Sequence, residues 1–378
     1  MHATLLVVVS GALGGGIAHE ALSAVAVPPL AAVVVAAAVA HRRLLAPSLA
    51  ALLLFGAAAV VTGPAPHLVL ASFAFAATLV TAVATFRGEA VPAGAWRDYA
   101  ALTKPRIMTL LLLTGLCGMI VGAGGWPATR LVGVTMLGLA LACGGASALN
   151  HVLDRDLDRA MRRTAGRPVA AERVPAPRAL EFGLALSAFS FVLLASLVNP
   201  LTAALALVGN LFYVVVYTGW LKRATPQNIV IGGAAGAVPP LVGWAAATGN
   251  LAVPALFLFL IVFFWTPPHF WALALVLKRD YAAARVPMLP VVRGDRATAR
   301  QILLYSLALV PLTLLPFAWD VVGLAYLVVA LLLGGALVWL AVRLLRDTTP
   351  LRARFLFHFS LAYLALLFVA MALDPVLA

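Results

Sequence analysis

The chain has 378 residues, of which 64% are hydrophobic and only 10% charged, with a formal net charge of +13. A soluble globular domain carries about 25% charged residues, so the composition excludes one and points to an all-α, polytopic membrane protein. The basic residues are spread among loops between apolar runs, which argues against nucleic acid as the partner of the positive charge. Both cysteines, Cys117 and Cys143, lie inside apolar runs and read as packing residues rather than a disulfide or metal pair.

Met1 to Ala18 is apolar, rich in glycine and without a basic n-region, so it reads either as a first span or as a signal sequence. Three clearer spans follow at about 22–40, 44–62 and 66–86. The polar stretch Arg87 to Lys104 divides an N-terminal segment, 1–95, from a second unit, 96–378. Beyond it, nine spans are predicted at about 107–124, 131–150, 178–198, 201–220, 228–247, 253–276, 301–319, 321–342 and 355–373. Lys and Arg alternate between the loops, with Arg130 alone on the opposite side from the rest. The positive-inside rule then makes the basic loops cytoplasmic. No transit-peptide pattern is visible, so the membrane expected is the plasma membrane.

The stretch Asn150 to Pro168, NHVLDRDLDRAMRRTAGRP, follows the long apolar run 131–149. Asn150, Asp154 and Asp158 recur every fourth residue, which places them on one helical face. Carboxylates one turn apart repel unless a cation lies between them. Mg²⁺ takes one or two carboxylates and leaves other positions to substrate phosphates, which nearby arginines can hold. The alternative is a solvated loop whose arginines only anchor topology. That accounts for the arginines but not for the stripe. His151 points about 100° away from it.

Further on, Tyr217 to Asn228 reads YTGWLKRATPQN. Lys222 and Arg223 serve either as diphosphate donors or as topology anchors, and Gln227 and Asn228 at the start of a span fit a polar cavity. Phe263 to Trp271 reads FFWTPPHFW. Its two prolines free backbone carbonyls, which is tolerable beside a cavity, and its aromatic faces suit a carbocation. His269 suits heme ligation or proton transfer. The competing reading makes Trp265, Phe270 and Trp271 an interfacial belt with His269 hydrogen-bonded there. In KRDYAAARVPMLP, 278–290, Asp280 either joins a second cation site or pairs with Lys278 or Arg279.

These motifs, together with LTKPRIMTLLLLTG at 102–115, IVIGGAAGAVPPLVGWAA after TPQN, and VPMLPVV, resemble the UbiA superfamily of intramembrane prenyltransferases. The TPQN, TPPHFW and VPMLP segments resemble the branch that farnesylates protoheme. The resemblance covers about 100–375 and implies nine helices around a cavity open to lipid. It implies Mg²⁺ as cofactor, with heme B (protoheme IX) and farnesyl diphosphate as substrates. By position, Asn150, Asp154 and Asp158 would hold Mg²⁺ and diphosphate, with the two aspartates as metal ligands. Lys104, Arg163, Arg167, Lys222 and Arg223 would clamp phosphates. Arg106, Tyr217, Gln227, Asn228, Trp265, His269, Trp271, Lys278 and Asp280 complete the implied substrate set. Relatives often carry a second motif with several aspartates, where this chain has only Asp280. Farnesyl transfer to a vinyl group of protoheme would give heme O and diphosphate.

Two other functions stay open at this level. One is a UbiA-type enzyme acting on a quinone precursor or chlorophyllide. The other is a non-enzymatic anion transporter, although no matched repeat of broken helices is visible. The segment beginning at His67, HLVLASFAFAATLV, resembles a heme-contacting helix of heme A synthase, so one reading of 1–95 is a degenerate or partial fused domain, with heme A synthase as a candidate partner. The alternative for 1–95 is a set of extra packing spans.

Overall fold

A computed structural model of the chain describes residues 96–377. The expected spans at 22–40, 44–62 and 66–86, the segment 1–18 and His67 lie outside them. Among the described residues every regular element is a helix, and nine helices are long and apolar enough to cross a membrane. The chain is a multi-pass membrane protein.

The short α1, Trp96–Leu102, precedes α2, Pro105–Ala123. Between them Lys104 adopts left-handed backbone angles, φ 50° and ψ 60°, a costly conformation for a side chain with a Cβ. Pro105 then starts α2 with its φ already set. The long α3, Thr129–Leu153, gives way at Asp154 to α4, Arg155–Ala160. Next come α5, Ala176–Leu197, and α6, Pro200–Leu211, which Asn199 caps by accepting from the Thr202 amide at 2.8 Å. Helix α6 runs without a break into a π-helical stretch, Phe212–Leu221, and a last turn, Lys222–Ala224. Helices α7, Asn228–Thr248, and α8, Val253–Val276, follow. The short α9, Lys278–Ala283, and α10, Leu289–Val292, lead to the spans α11, Asp295–Ala318, α12, Leu324–Arg346, and α13, Pro350–Leu377.

Consecutive spans pack side by side, and α13 returns to α2 and closes the ring. Lipid tails are as apolar as leucine, so span packing rests on small residues and interhelical hydrogen bonds. Both occur here. Ser190 donates to the Gly138 carbonyl at 2.6 Å, and Asn210 donates to the Ala142 carbonyl at 3.0 Å and to Ser187 at 2.9 Å. Helices α2 and α7 touch backbone to backbone. A Cβ on Gly243 would lie 1.8 Å from the Gly115 carbonyl oxygen, and one on Gly118 would lie 2.4 Å from that of Pro240.

Pro239 and Pro240 in α7 and Pro267 and Pro268 in α8 lie inside their helices and are buried. Lacking N–H groups, each pair leaves two carbonyls of the preceding turn without helical donors. The exposed tryptophans Trp126 and Trp319 sit just beyond span ends, as an interfacial belt requires.

Candidate active site

The Asn150, Asp154, Asp158 stripe does not lie on one uninterrupted helix, because α3 ends at Leu153. Backbone bonds carry the spacing across the junction, from the Asp154 amide to Asn150 at 2.9 Å and from the Asp158 amide to Asp154 at 2.8 Å. All three side chains are buried, at 3%, 0% and 2% exposure. Charges that deep need partners, and those partners come from distant parts of the sequence. Lys222 donates to Asp154 Oδ2 at 2.5 Å, and Asn150 donates to the same oxygen at 2.7 Å. Lys104 donates to Asn150 Oδ1 at 2.6 Å. Arg167 reaches both Asp158 oxygens through one nitrogen, at 2.8 and 2.9 Å.

Protein cations therefore relieve the carboxylate repulsion that the sequence assigned to a metal. Lys222 and Arg167 match the two carboxylates one to one, and Lys104, when protonated, adds one positive charge in excess. One buried acceptor is unused, since Asp154 Oδ1 has no hydrogen-bond partner. Among the described residues no group of three or more His, Cys, Asp or Glu is placed to hold a metal ion. The donor set fits Mg²⁺ when phosphate oxygens fill most of its positions, and it does not fit a cage built from protein alone.

The π-helical stretch explains how α6 contributes. Its extra residue per turn, a feature frequent at functional sites, puts Thr218 within 3.1 Å of Asn150 Nδ2 while Lys222 reaches Asp154. Tyr213 and Tyr217 stack beside it, with ring centres 5.6 Å apart. Gly232 of α7 admits the Tyr217 ring, which a Cβ there would meet at 2.3 Å. Tyr281 of α9 arrives from the other side, close enough to feel Arg163, Arg167 and Asp154. Burial raises its phenol above the usual range. Tyr213, Thr218 and Tyr281 were not singled out from the sequence. Tyr281 had a signal there, as the one aromatic in KRDYAAARVPMLP.

Other expected residues scatter. Arg223 binds the Leu153 carbonyl at 2.7 Å and thus ties its turn to the end of α3. Arg106, Arg163 and Gln227 are exposed. Asn228 is buried and donates to the Thr225 carbonyl at 2.7 Å, with its Oδ1 unpartnered. Asp280 does not pair with Lys278, which binds Asp295 at 2.7 Å instead. Among the described residues Asp280 forms no ion pair.

The aromatic segment of α8 departs from the belt reading. Trp265 and Trp271 are buried, at 7% and 2% exposure. Trp265 donates to the Ser360 carbonyl at 2.7 Å, and Trp271 packs edge-on against Tyr305. His269 is stacked between Trp265 and Phe357, at 4.3 and 4.7 Å, and its Nδ1 lies 2.8 Å from the Ser360 hydroxyl. That hydroxyl gives its own hydrogen to the Phe357 carbonyl. Nδ1 must then be the donor, and Nε2 keeps its lone pair. His151 is buried with neither ring nitrogen partnered, and it makes no bond to the stripe.

The UbiA prenyltransferase family model matches residues 111–369, most of the chain and, apart from Lys104, the whole charge cluster. The chain belongs to the UbiA prenyltransferase family. A relative from Symbiobacterium thermophilum, named protoheme IX farnesyltransferase, is 56% identical over 74% of this chain and 94% of its own length. One of the same name from Roseiflexus sp. is 53% identical over 74% of this chain, and the match spans only 52% of that longer protein.

Solved structures agree on the fold. A structure of digeranylgeranylglyceryl phosphate synthase aligns over 75% of this chain and 99% of its own with a TM-score of 0.64 at 17% identity. An Archaeoglobus fulgidus UbiA homolog bound to GPP and Mg²⁺ aligns over 72% and 99% with a TM-score of 0.55 at 16% identity. The UbiA fold thus holds for the matched residues 111–369, and the chain is a prenyltransferase.

Proposed function

We propose that this UbiA-family chain transfers the farnesyl group of farnesyl diphosphate to a vinyl group of protoheme IX, giving heme O and diphosphate. The diphosphate half of the reading is carried by one observation. Lys222 and Arg167 already pair with the two buried carboxylates, Lys104 brings a further amine held on Asn150 Oδ1, and Asp154 Oδ1 remains without a partner. Relatives more than 50% identical over most of their own length, named for protoheme farnesylation, support the acceptor. So does His269, whose free Nε2 suits a heme iron.

Mg²⁺, when bound, would neutralise charge growing on the departing diphosphate. Asp154 and Asp158 would hold it, and Asn150 would orient Asp154 through its amide. Lys104, Lys222 and Arg167, with Arg163 at the rim, would take the phosphate oxygens. Tyr213 and Tyr217 present aromatic rings beside the charge cluster, where a farnesyl cation would be stabilised and kept from water. The vinyl carbon attacks that cation and forms the new C–C bond. Water adds to the resulting porphyrin-side cation, loses a proton and becomes the hydroxyl of the hydroxyethylfarnesyl chain.

The segregation of basic loops supports a site that opens to the cytoplasm, and the membrane proposed is the plasma membrane. We assign this reaction to 96–378 and leave 1–95 as a separate segment. A heme A synthase is the partner such a product calls for. Offering protoheme and a quinone precursor side by side with labelled farnesyl diphosphate tests the acceptor. Label in the heme fraction alone supports the reading, and label in the quinone fraction alone overturns it.

Lys104 gives a second prediction. Burial, with Arg167 next, lowers its ammonium to about 7. Above that pH the free site holds a neutral amine, and an arriving diphosphate restores the charge. Binding at about pH 8 should therefore take up a proton, whereas binding well below pH 7 should not. Calorimetry in buffers of different ionisation heat reads this directly. Lys104→Gln is expected to abolish the uptake, and uptake unchanged in that variant would rule Lys104 out as its source.

A further inference from the structure

A second basic site lies at the α11–α12 edge of the ring, and none of its lining residues belongs to the Asn150 network. A cavity of about 710 Å³ is lined by Arg293, Arg296, Arg300 and Gln301, with Leu304 and Leu345 among its apolar walls. An adjoining cavity of about 530 Å³ shares Arg296 and Leu345 and adds Arg346, Thr348 and the Lys278-bound Asp295. Among the described residues none of Arg293, Arg296 and Arg300 has an acidic partner. The nearest acid in sequence, Asp295, is bound to Lys278.

This clustering is unfavourable by itself. Arg296 and Arg300 are like charges four residues apart, in the opening turns of α11, where the helix dipole is already positive. An anion relieves both costs, and guanidinium forks match phosphate oxygens. The same helical face continues from Arg300 to Leu304 and Leu307, which are 47% and 48% exposed. The ligand must therefore be anionic at one end and aliphatic at the other. Free phosphate has no use for the leucines, and a zwitterionic headgroup brings its own cation. We propose that this cavity binds the headgroup of an anionic phospholipid, with an acyl chain lying along Leu304 and Leu307.

The test uses the full chain, delipidated in neutral detergent. Native mass spectrometry follows rebinding of phosphatidylglycerol, phosphatidylcholine or inorganic phosphate. Wild type is expected to retain phosphatidylglycerol in preference to phosphatidylcholine, and phosphate is expected not to displace it. The triple variant Arg293→Gln, Arg296→Gln, Arg300→Gln should bind phosphatidylglycerol roughly a hundredfold more weakly. The control Arg343→Gln, Arg354→Gln, at the same end of the bundle but outside the cavity, should match wild type. Equal retention of the two lipids by wild type would overturn the proposal without reference to any variant. So would displacement by phosphate, an unaffected triple variant, or an equal loss in the control.

Discussion

Asp154→Ala is expected to lower farnesyl transfer by about a thousandfold, the loss typical of removing a group that stabilises developing charge. Asp154 is fully buried, and one of its oxygens gathers both Lys222 and the Asn150 amide. Without it, Lys222 loses its counter-ion, Asn150 loses an acceptor, and the unpartnered Oδ1 is gone. Breaking such a buried pair costs about 3 kcal/mol of stability as well. The melting temperature must therefore be measured beside the rate. Asp154→Asn separates the two effects, because it keeps the shape and removes the charge. It keeps an acceptor for Asn150 and leaves no cavity, so it should lose less stability than Asp154→Ala and still lose most of the activity. Activity within about tenfold of wild type in a folded Asp154→Asn protein would remove this carboxylate from the chemistry.

Gly243→Ala is expected to prevent the ring from closing properly. The added methyl would sit 1.8 Å from the Gly115 carbonyl, and both groups are backbone-borne, so no rotamer change relieves the clash. Helices α2 and α7 would have to part, and small residues are what let membrane helices approach. A loss of about 3 kcal/mol or more is expected, at the upper end for overpacking. Gly236, in the same helix, has open space around a would-be Cβ. Gly236→Ala should be neutral or gain up to about 1 kcal/mol from helix propensity. Thermal unfolding of the two purified variants decides the matter. Equal melting temperatures would mean that the α2–α7 approach is not what holds the bundle.

Much of this was legible in the sequence because a membrane simplifies folding. Backbone groups in lipid must bond internally, so each long apolar run is a span. Nine were read beyond residue 96, and nine are present among the described residues. The Asn150, Asp154, Asp158 stripe was legible because its i, i+4 spacing survives the break at Asp154. The partners of the stripe were not legible as partners, since Lys222 is 68 residues from Asp154. Only the fold decides which cation meets which acid.

The same limit explains Asp280, for which pairing with Lys278 was one of the open readings until α11 brought Asp295 there. The π-helical stretch left no mark in an apolar run that suits an ordinary helix equally well, so Thr218 and Tyr213 stayed hidden. Trp265 and Trp271 were misplaced under the belt reading because tryptophan suits interfaces and cores alike. Their neighbours in α11 and α13 buried them.

The central claim is that the Asn150–Asp154–Asp158 cluster serves farnesyl transfer to protoheme, and product identification tests it most directly. The full chain would be reconstituted in liposomes with protoheme, farnesyl diphosphate and Mg²⁺, and the extracted heme analysed by mass spectrometry. Hydroxyethylfarnesyl heme should form with wild type and disappear with Asp154→Asn or on adding EDTA. A folded wild-type protein that leaves protoheme unchanged would contradict the account. So would product formation that persists without the carboxylate.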